Sequence, residues 1–178
     1  RRWVPRLASG EWIGAWALTE AGSGSDAAAA RTRARRIDGG WVLDGSKAFC
    51  THGSVGDVFV ILAVSDPAGP KGRNMSAFVG EKGTQGLRSG KKENKLGIRA
   101  SDTAEVVLEE CFVPDANLLG APGEGFKQAL AVLESQPTGA YRLLRPVRDY
   151  SVPNVSDKVV RLIHSYTDYV NRVVWKRY

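Results

Sequence analysis

Short apolar runs separated by turn signals recur through most of the chain, and this pattern limits the fold more than any other feature. Segments such as 58–65 and 104–108 are apolar but too short for helices, so they suit strands. Asp38-Gly39-Gly40 predicts a hairpin turn, because glycine reaches positive φ at no steric cost. Turn signals at intervals of roughly 8–12 residues favour a mainly β fold, an antiparallel β-barrel or sandwich.

The remaining elements follow from the same reading of periodicity and turn residues. Asp44-Gly45 predicts a second turn, and 21–25 and 66–74 predict loops. Apolar residues at helical spacing predict a helix over 124–133, after Pro122-Gly123. Strands are predicted over 12–18, 27–37, 41–43, 48–51, 58–65, 76–79, 87–90, 104–108 and 111–113.

Composition divides the chain near Tyr141. All 20 glycines and all five phenylalanines precede this position, whereas all five tyrosines lie from it onward. The net charge of +6 is also concentrated after this position, where Lys and Arg outnumber Asp and Glu by 8 to 3. We therefore predict a β-domain over 1–140 and a helical C-terminal appendage over 141–178, and the main domain gives no reason to expect nucleic-acid binding.

The appendage combines a linker with an amphipathic pattern. Two prolines, Pro146 and Pro153, mark the linker, and Ser156-Asp157 is typical of a helix start. The following apolar residues are spaced by four and three, as in a coiled-coil seam: Val159, Ile163, Tyr166, Val170 and Val173. Three interpretations stay open, namely a helix that packs on its own domain or a like helix, a helix that docks a partner, and a cationic helix at a membrane surface.

Several classes of protein are disfavoured by what the sequence contains. Cys50 and Cys111 lack any metal-ligand spacing and suit reduced thiols of a cytoplasmic or mitochondrial matrix protein. With only two histidines, a His-rich metal site is not expected, and no apolar run reaches the length of a membrane span. The chain begins at Arg1 without a methionine, so we expect an incomplete reading frame or a trimmed chain.

Two stretches carry the pattern of a chemical site, and both resemble motifs of the acyl-CoA dehydrogenase family. Residues 16–26 read WALTEAGSGSD and 43–53 read LDGSKAFCTHG, close to the family forms LTEPxAGSD and GxKxWITNG. Three further stretches resemble family segments in the same order: 97–103, 113–120 and 123–126. Together the resemblance covers roughly residues 7–135 and is to the middle β-domain of that family.

The resemblance implies which residues contact the cofactor FAD and the substrate acyl-CoA. The implied FAD contacts are Trp16, Leu18, Thr19, Ser25, Phe49 and Thr51, and the implied acyl-CoA neighbours are Ser25 and Ser101. These residue types suit the task, since threonines at strand ends offer a hydroxyl and a backbone N–H, and an aromatic ring can stack on a flavin. The small-residue loop 22–25 would let backbone N–H groups converge on a pyrophosphate.

The family reaction is the α,β-dehydrogenation of an acyl-CoA thioester. A glutamate takes the α-proton, a hydride passes from the β-carbon to flavin N5, and the electrons leave to an electron-transferring flavoprotein. The family's base lies in a C-terminal helical domain that has no counterpart here, so no catalytic residue is assigned. We therefore expect a homo-oligomeric family member whose chain alone binds FAD weakly and turns over little.

The sequence also departs from the family pattern. Ala21 replaces a proline, Phe49 stands where tryptophan is common, and Pro137 stands where an arginine would be expected. Two other functions stay open, a non-catalytic interaction module that docks a partner through the appendage and an acyl-CoA oxidase or related flavin oxidase. Trp16 and Phe49 could also be ordinary core aromatics, which their exposure in a structure would decide.

Overall fold

The computed structural model describes residues 2–134, so Pro137 and the appendage 141–178 lie outside the described residues. Within that range the chain forms eight strands and two α-helices. The elements are α1 (Val4–Ser9), β1 (Gly14–Ala17), β2 (Arg33–Ile37), β3 (Gly40–Thr51), β4 (Val58–Val64), β5 (Met75–Glu81), β6 (Leu87–Lys92), β7 (Thr103–Pro114), β8 (Leu118–Leu119) and α2 (Gly125–Glu134), with short 3₁₀ turns at Ala27–Ala29 and Asp115–Asn117. No helix of this described part is long and apolar enough to cross a bilayer.

The strands form one open sheet in the order β6-β7-β3-β2-β4-β5-β8, with β1 paired to β4. Most neighbouring strands run antiparallel, so the predicted mainly β fold is confirmed. The exception is β4, which pairs in parallel with β1 and, at Val64, with β2. These parallel pairs arise because β1 and β2 lie one after the other along the same side of β4.

Together, β1 and β2 act as one interrupted strand between β3 and β4. The first part, β1, lies beside the start of β4, with Gly14 opposite Val58. The second part begins at Arg33, which is opposite both Val64 of β4 and Asp44 of β3. Residues 18–32 leave the sheet between the two parts, and we call this segment the detour. It carries the first sequence motif.

Two apolar clusters hold these elements in place. The larger lies within the sheet and contains a tilted contact between the rings of Trp41 and Phe78, whose centroids are 5.5 Å apart. The smaller lies beneath α2 and includes Leu62, Met75 and Ala129. Helix α2 approaches β5 closely at Gly125, where a Cβ atom would lie 2.6 Å from the backbone of Ser76. Burial of apolar side chains in these clusters is the main stabilising contribution to the fold.

Three predicted local features were wrong. The predicted turn at Asp44-Gly45 is a register shift inside the 12-residue strand β3, where Gly45 has φ +144°. The predicted strand 27–37 is a 3₁₀ turn followed by the shorter β2. The two strands predicted over 104–113 form one strand, β7, in which Glu110 has positive φ. At Gly45 and Glu110 an irregular residue bends a strand without reversing the chain.

Candidate functional site

The two sequence motifs lie side by side in the sheet. His52 donates its Nδ1 hydrogen to the Gly14 carbonyl oxygen at 3.0 Å, and the Ala48 amide donates to the Thr19 carbonyl oxygen at 2.7 Å. Because Gly14 faces His52 and Thr19 faces Ala48, the two segments run in opposite directions. Thr19 is at the start of the detour and Thr51 is at the end of β3, so the two threonines lie on two neighbouring antiparallel segments.

Exposed aromatic rings mark this part of the surface. Alternation along β1 buries Ala15 and Ala17 and leaves Trp16 40% exposed. Phe49 is 62% exposed, and its φ of 55° coincides with the register shift of β3 between Lys47 and Cys50. We call the exposed or half-buried residues Trp16, Thr19, Phe49 and Thr51 of these two neighbouring segments the aromatic margin. The alternative that Trp16 and Phe49 are core aromatics does not fit this exposure.

A buried ion pair joins the same two segments. The Lys47 side chain is fully buried, and its Nζ lies 2.8 Å from Glu20 Oε1 and 3.2 Å from the Leu18 carbonyl oxygen. Burial lowers the pKa of Lys47, and Glu20 partly offsets this effect. Burial alone would raise the pKa of Glu20, but its hydrogen bonds from Lys47, Thr32 and the Arg31 amide outweigh burial and lower it.

The small-residue loop of the first motif is a closed turn. Glu20 and Ser23 exchange two backbone hydrogen bonds of 3.0 and 3.1 Å, and the buried Ser23 Oγ donates to the Asp26 carbonyl oxygen at 2.7 Å. Ser25 is exposed on this loop. A Cβ atom on Gly22 or Gly24 would meet nothing within 4 Å, so the loop surface is open to a ligand.

Asp102 anchors the turn that follows β3 at the other end of the margin. Its carboxylate accepts hydrogen bonds from the Ser54 amide at 2.9 Å and Ser54 Oγ at 2.6 Å, and Lys92 Nζ lies 3.0 Å away. Its carbonyl oxygen accepts from the His52 amide at 3.0 Å. Burial tends to raise the pKa of Asp102, but Ser54 and Lys92 lower it to about 2.

The predicted site residues do not all occupy the aromatic margin. Ser101 precedes Asp102, so it lies near the Thr51 end, where Lys95 Nζ binds its carbonyl oxygen at 2.5 Å. Ser25 lies near the middle of the detour, outside the margin. The Leu18 side chain packs against the smaller apolar cluster, so within the described residues its carbonyl oxygen is the atom turned towards β3.

Sequence reasoning missed the residues that support the site. Glu20, Lys47 and Asp102 received no role, although Glu20 and Lys47 occupy fixed letters of the two motif forms. A charged residue fixed inside an otherwise apolar motif is a signal that a buried pair is present. No comparable signal marked Asp102, because its partners are distant in sequence.

The two cysteines are not reactive groups in this arrangement. Both are buried and free, and burial raises the pKa of Cys50 and Cys111 to about 11. Within residues 2–134, no group of three or more His, Cys, Asp or Glu side chains could hold a metal ion.

The described residues form an open β-sheet that carries the two sequence motifs on neighbouring antiparallel segments. The family profile "Acyl-CoA dehydrogenase, middle domain" matches residues 15–111. The chain belongs to the acyl-CoA dehydrogenase family, as the resemblance of its motifs predicted.

Relatives and solved structures agree with this membership. The mitochondrial short-chain specific acyl-CoA dehydrogenase of Rattus norvegicus is 45% identical over 134 residues, which are 75% of this chain and 32% of that protein. Butyryl-CoA dehydrogenase of Megasphaera elsdenii superposes with a TM-score of 0.72 at 38% identity, covering 75% of this chain and 35% of that one. The FAD complex of PigA superposes with a TM-score of 0.72 at 31% identity, covering 76% and 35%. The chain spans about a third of the length of the curated relatives it matches.

Proposed function

We propose that this chain supplies the β-domain surface that holds FAD and acyl-CoA in an acyl-CoA dehydrogenase. The observation that carries the proposal is the aromatic margin, where Trp16 and Phe49 stay exposed between Thr19 and Thr51. Exposed aromatic rings on a rigid sheet lose contact with water when a flat ligand covers them, so the margin favours binding of a planar ring. Family membership supports FAD as that ligand.

The predicted site residues other than Leu18 each have a distinct task in this proposal. Trp16 and Phe49 cover the ring system, and Thr19 and Thr51 present hydroxyl and backbone donors from rigid positions. Ser25, on the open loop, contacts the cofactor and the acyl-CoA, whereas Ser101 contacts the acyl-CoA only. Bound FAD would supply the two-electron acceptance that α,β-dehydrogenation of an acyl-CoA thioester requires.

The described carboxylates next to the margin are poor candidates for the base that takes the α-proton. Asp102 has its pKa lowered to about 2, so it is a weak base. Glu20 is engaged by Lys47, Thr32 and the Arg31 amide, and its pKa is lowered. This supports the expectation that the base is supplied from outside the matched region and that the chain alone turns over little.

Family membership, rather than the geometry of the site, is the basis on which we propose the partners and the cellular compartment of this protein. We propose acyl-CoA as substrate, an electron-transferring flavoprotein as electron acceptor and further copies of the chain as oligomeric partners. The rat relative is mitochondrial, which fits the proposed compartment, the cytoplasm or the mitochondrial matrix.

A titration of the full chain with FAD tests the proposal. We expect quenching of flavin fluorescence on binding, and Phe49→Ala should weaken the affinity by about tenfold, the equivalent of roughly 1.4 kcal/mol of lost stacking. Phe112→Ala is the matched control, because Phe112 is also exposed but lies opposite Val42, towards the other end of β3. The control should stay within about twofold of the unmodified chain.

Two outcomes would contradict the assignment. The first is a folded chain that leaves flavin fluorescence unchanged at high protein concentration. The second is an equal loss of affinity in Phe49→Ala and Phe112→Ala, which would show that the margin is not where the ring binds. Since Phe49 is 62% exposed, its truncation should not unfold the chain and confuse the result.

A further inference from the structure

We propose that Glu20 and Lys47 are positioning residues, whose buried ion pair fixes the peptide groups of Thr19 and the base of the detour against the flavin site. This inference rests on the proposed function, because it concerns how the aromatic margin is held for FAD. Neither side chain is assigned a contact with the cofactor or the substrate.

Lys47 holds the residues on both sides of Thr19. Its Nζ contacts the Leu18 carbonyl oxygen at 3.2 Å and Glu20 Oε1 at 2.8 Å. The next residue, Ala48, donates its amide to the Thr19 carbonyl oxygen at 2.7 Å. Three consecutive residues of the first motif are therefore bound by two consecutive residues of the second, which leaves the Thr19 backbone little freedom.

Glu20 closes the base of the detour. One carboxylate oxygen accepts from the Thr32 amide at 2.9 Å and Thr32 Oγ1 at 2.7 Å, and the other accepts from the Arg31 amide at 2.7 Å. Residue 20 lies close to the point where the chain leaves the sheet, and residues 31–32 lie where it returns. The carboxylate thus joins both ends of the segment that carries Ser25.

Stability alone is a weak explanation for a pair of this kind. Removing two charges from water is costly, and apolar side chains of similar volume often stabilise a core as well as a buried ion pair does. Apolar side chains could not bind the Leu18 carbonyl oxygen and the amides of Arg31 and Thr32 in fixed directions. The use of charged groups here is explained by the backbone groups that they orient.

The double variant Glu20→Met/Lys47→Met separates positioning from stability, because neither methionine can bind the Leu18 carbonyl oxygen or the amides of Arg31 and Thr32. Each single variant, Lys47→Met or Glu20→Met, leaves an unpaired buried charge and should destabilise the whole chain. The double variant removes both charges, so its urea midpoint should recover towards that of the unmodified chain. Its FAD affinity should nevertheless stay at least about tenfold weaker, because the Leu18 carbonyl oxygen and the detour are no longer held.

Amide hydrogen exchange provides a readout that needs no flavin. In the double variant, protection of the Ala48 and Thr32 amides should fall by about tenfold or more, whereas protection at Phe78 in β5 should be unchanged. Lys92→Met is the control, since it removes an exposed lysine from a different ion pair and should leave the Ala48 and Thr32 amides protected.

The results that would overturn the proposal are distinct from failure of the proposed function. A double variant with the affinity of the unmodified chain, or with unchanged protection at Ala48 and Thr32, would show that the pair does not position the site. If the unmodified chain binds no FAD, the proposed function fails, and the exchange measurement alone decides whether the pair holds Thr19 and the detour.

Discussion

Replacing Asp102 with asparagine should loosen the turn that follows β3 and reduce stability in a way that depends on pH. The Asp102 carboxylate accepts two hydrogen bonds from Ser54 and contacts Lys92. Asparagine has the same shape but no charge and only one acceptor oxygen, so the Ser54 hydroxyl would have to accept from the NH₂ group instead of donating to a carboxylate. The variant also loses the attraction to Lys92.

The magnitude follows from the pKa of the carboxyl group. A fall from the usual value of 3.8 to about 2 in the folded chain corresponds to at most about 2.4 kcal/mol. Lys92 is 64% exposed, so solvent and salt screen its part of this interaction. We therefore expect Asp102→Asn to lower the free energy of unfolding by about 1–2 kcal/mol at pH 7.

The pH dependence has a definite sign. The pKa of Asp102 is lower in the folded chain than in the unfolded chain, so its stabilisation is complete above the unfolded value. It is lost as the pH falls from about 4 towards about 2, where the folded carboxyl group takes up its proton. The stability difference between the two proteins should therefore shrink by roughly half by pH 3.

Urea unfolding followed by tryptophan fluorescence measures this difference, with the buried Trp41 among the reporters. Comparing the two proteins at each pH cancels the titration of all other carboxyl groups. A difference that is the same at pH 7 and pH 3 would refute the argument, since it would show that the charge of Asp102 contributes nothing. A difference below about 0.5 kcal/mol at pH 7 would show that neither the charge of the Ser54 hydrogen-bond acceptor nor the contact with Lys92 stabilises the turn.

Other consequences of the structure can be checked by simple measurements. Gly45→Ala should cost roughly 2–4 kcal/mol in urea unfolding, because φ is +144° and a Cβ would lie 2.7 Å from Thr32 Oγ1. Gly22→Ala, with nothing within 4 Å, should stay within about 1 kcal/mol, and equal costs would contradict the geometry. Cys50 and Cys111 should resist alkylation at pH 8 in the folded chain and both react in urea, because their pKa values of about 11 leave little thiolate. Rapid labelling of either thiol without denaturant would contradict their burial.

The fold was predictable where local signals agree with the sheet. The hairpin at Asp38-Gly39-Gly40, the buried strand β4 and helix α2 are all marked by turn residues or periodicity over a few positions. The turn predicted at Asp44-Gly45 was wrong because the same residues also suit a bulge, and only pairing with β7 decides between them. The parallel pairing of β1 with β4 had no local signal, since it depends on the return of the chain after the detour.

The residues of the candidate site were predictable from the sequence, but the buried side chains that hold them in place were not. The two motifs predicted Thr19 and Thr51 as site residues, and the structure places them on adjoining segments. The role of Lys47 depends on its burial, which a lysine in a polar-looking stretch of sequence does not reveal. Assignment of cofactor contacts to Trp16 and Phe49 stays a prediction until binding is measured.

The interrupted strand formed by β1 and β2 has a consequence for how such a domain can change. Its two parts are registered independently against β3 and β4, so the length of the segment between them does not set the alignment of any other strand. Residues between Glu20 and Arg31 could be inserted, deleted or exchanged while the neighbouring strands keep their register. Changes confined to the detour would therefore alter the ligand preference of such a domain without disturbing its sheet, and a recognition loop could be grafted at this position.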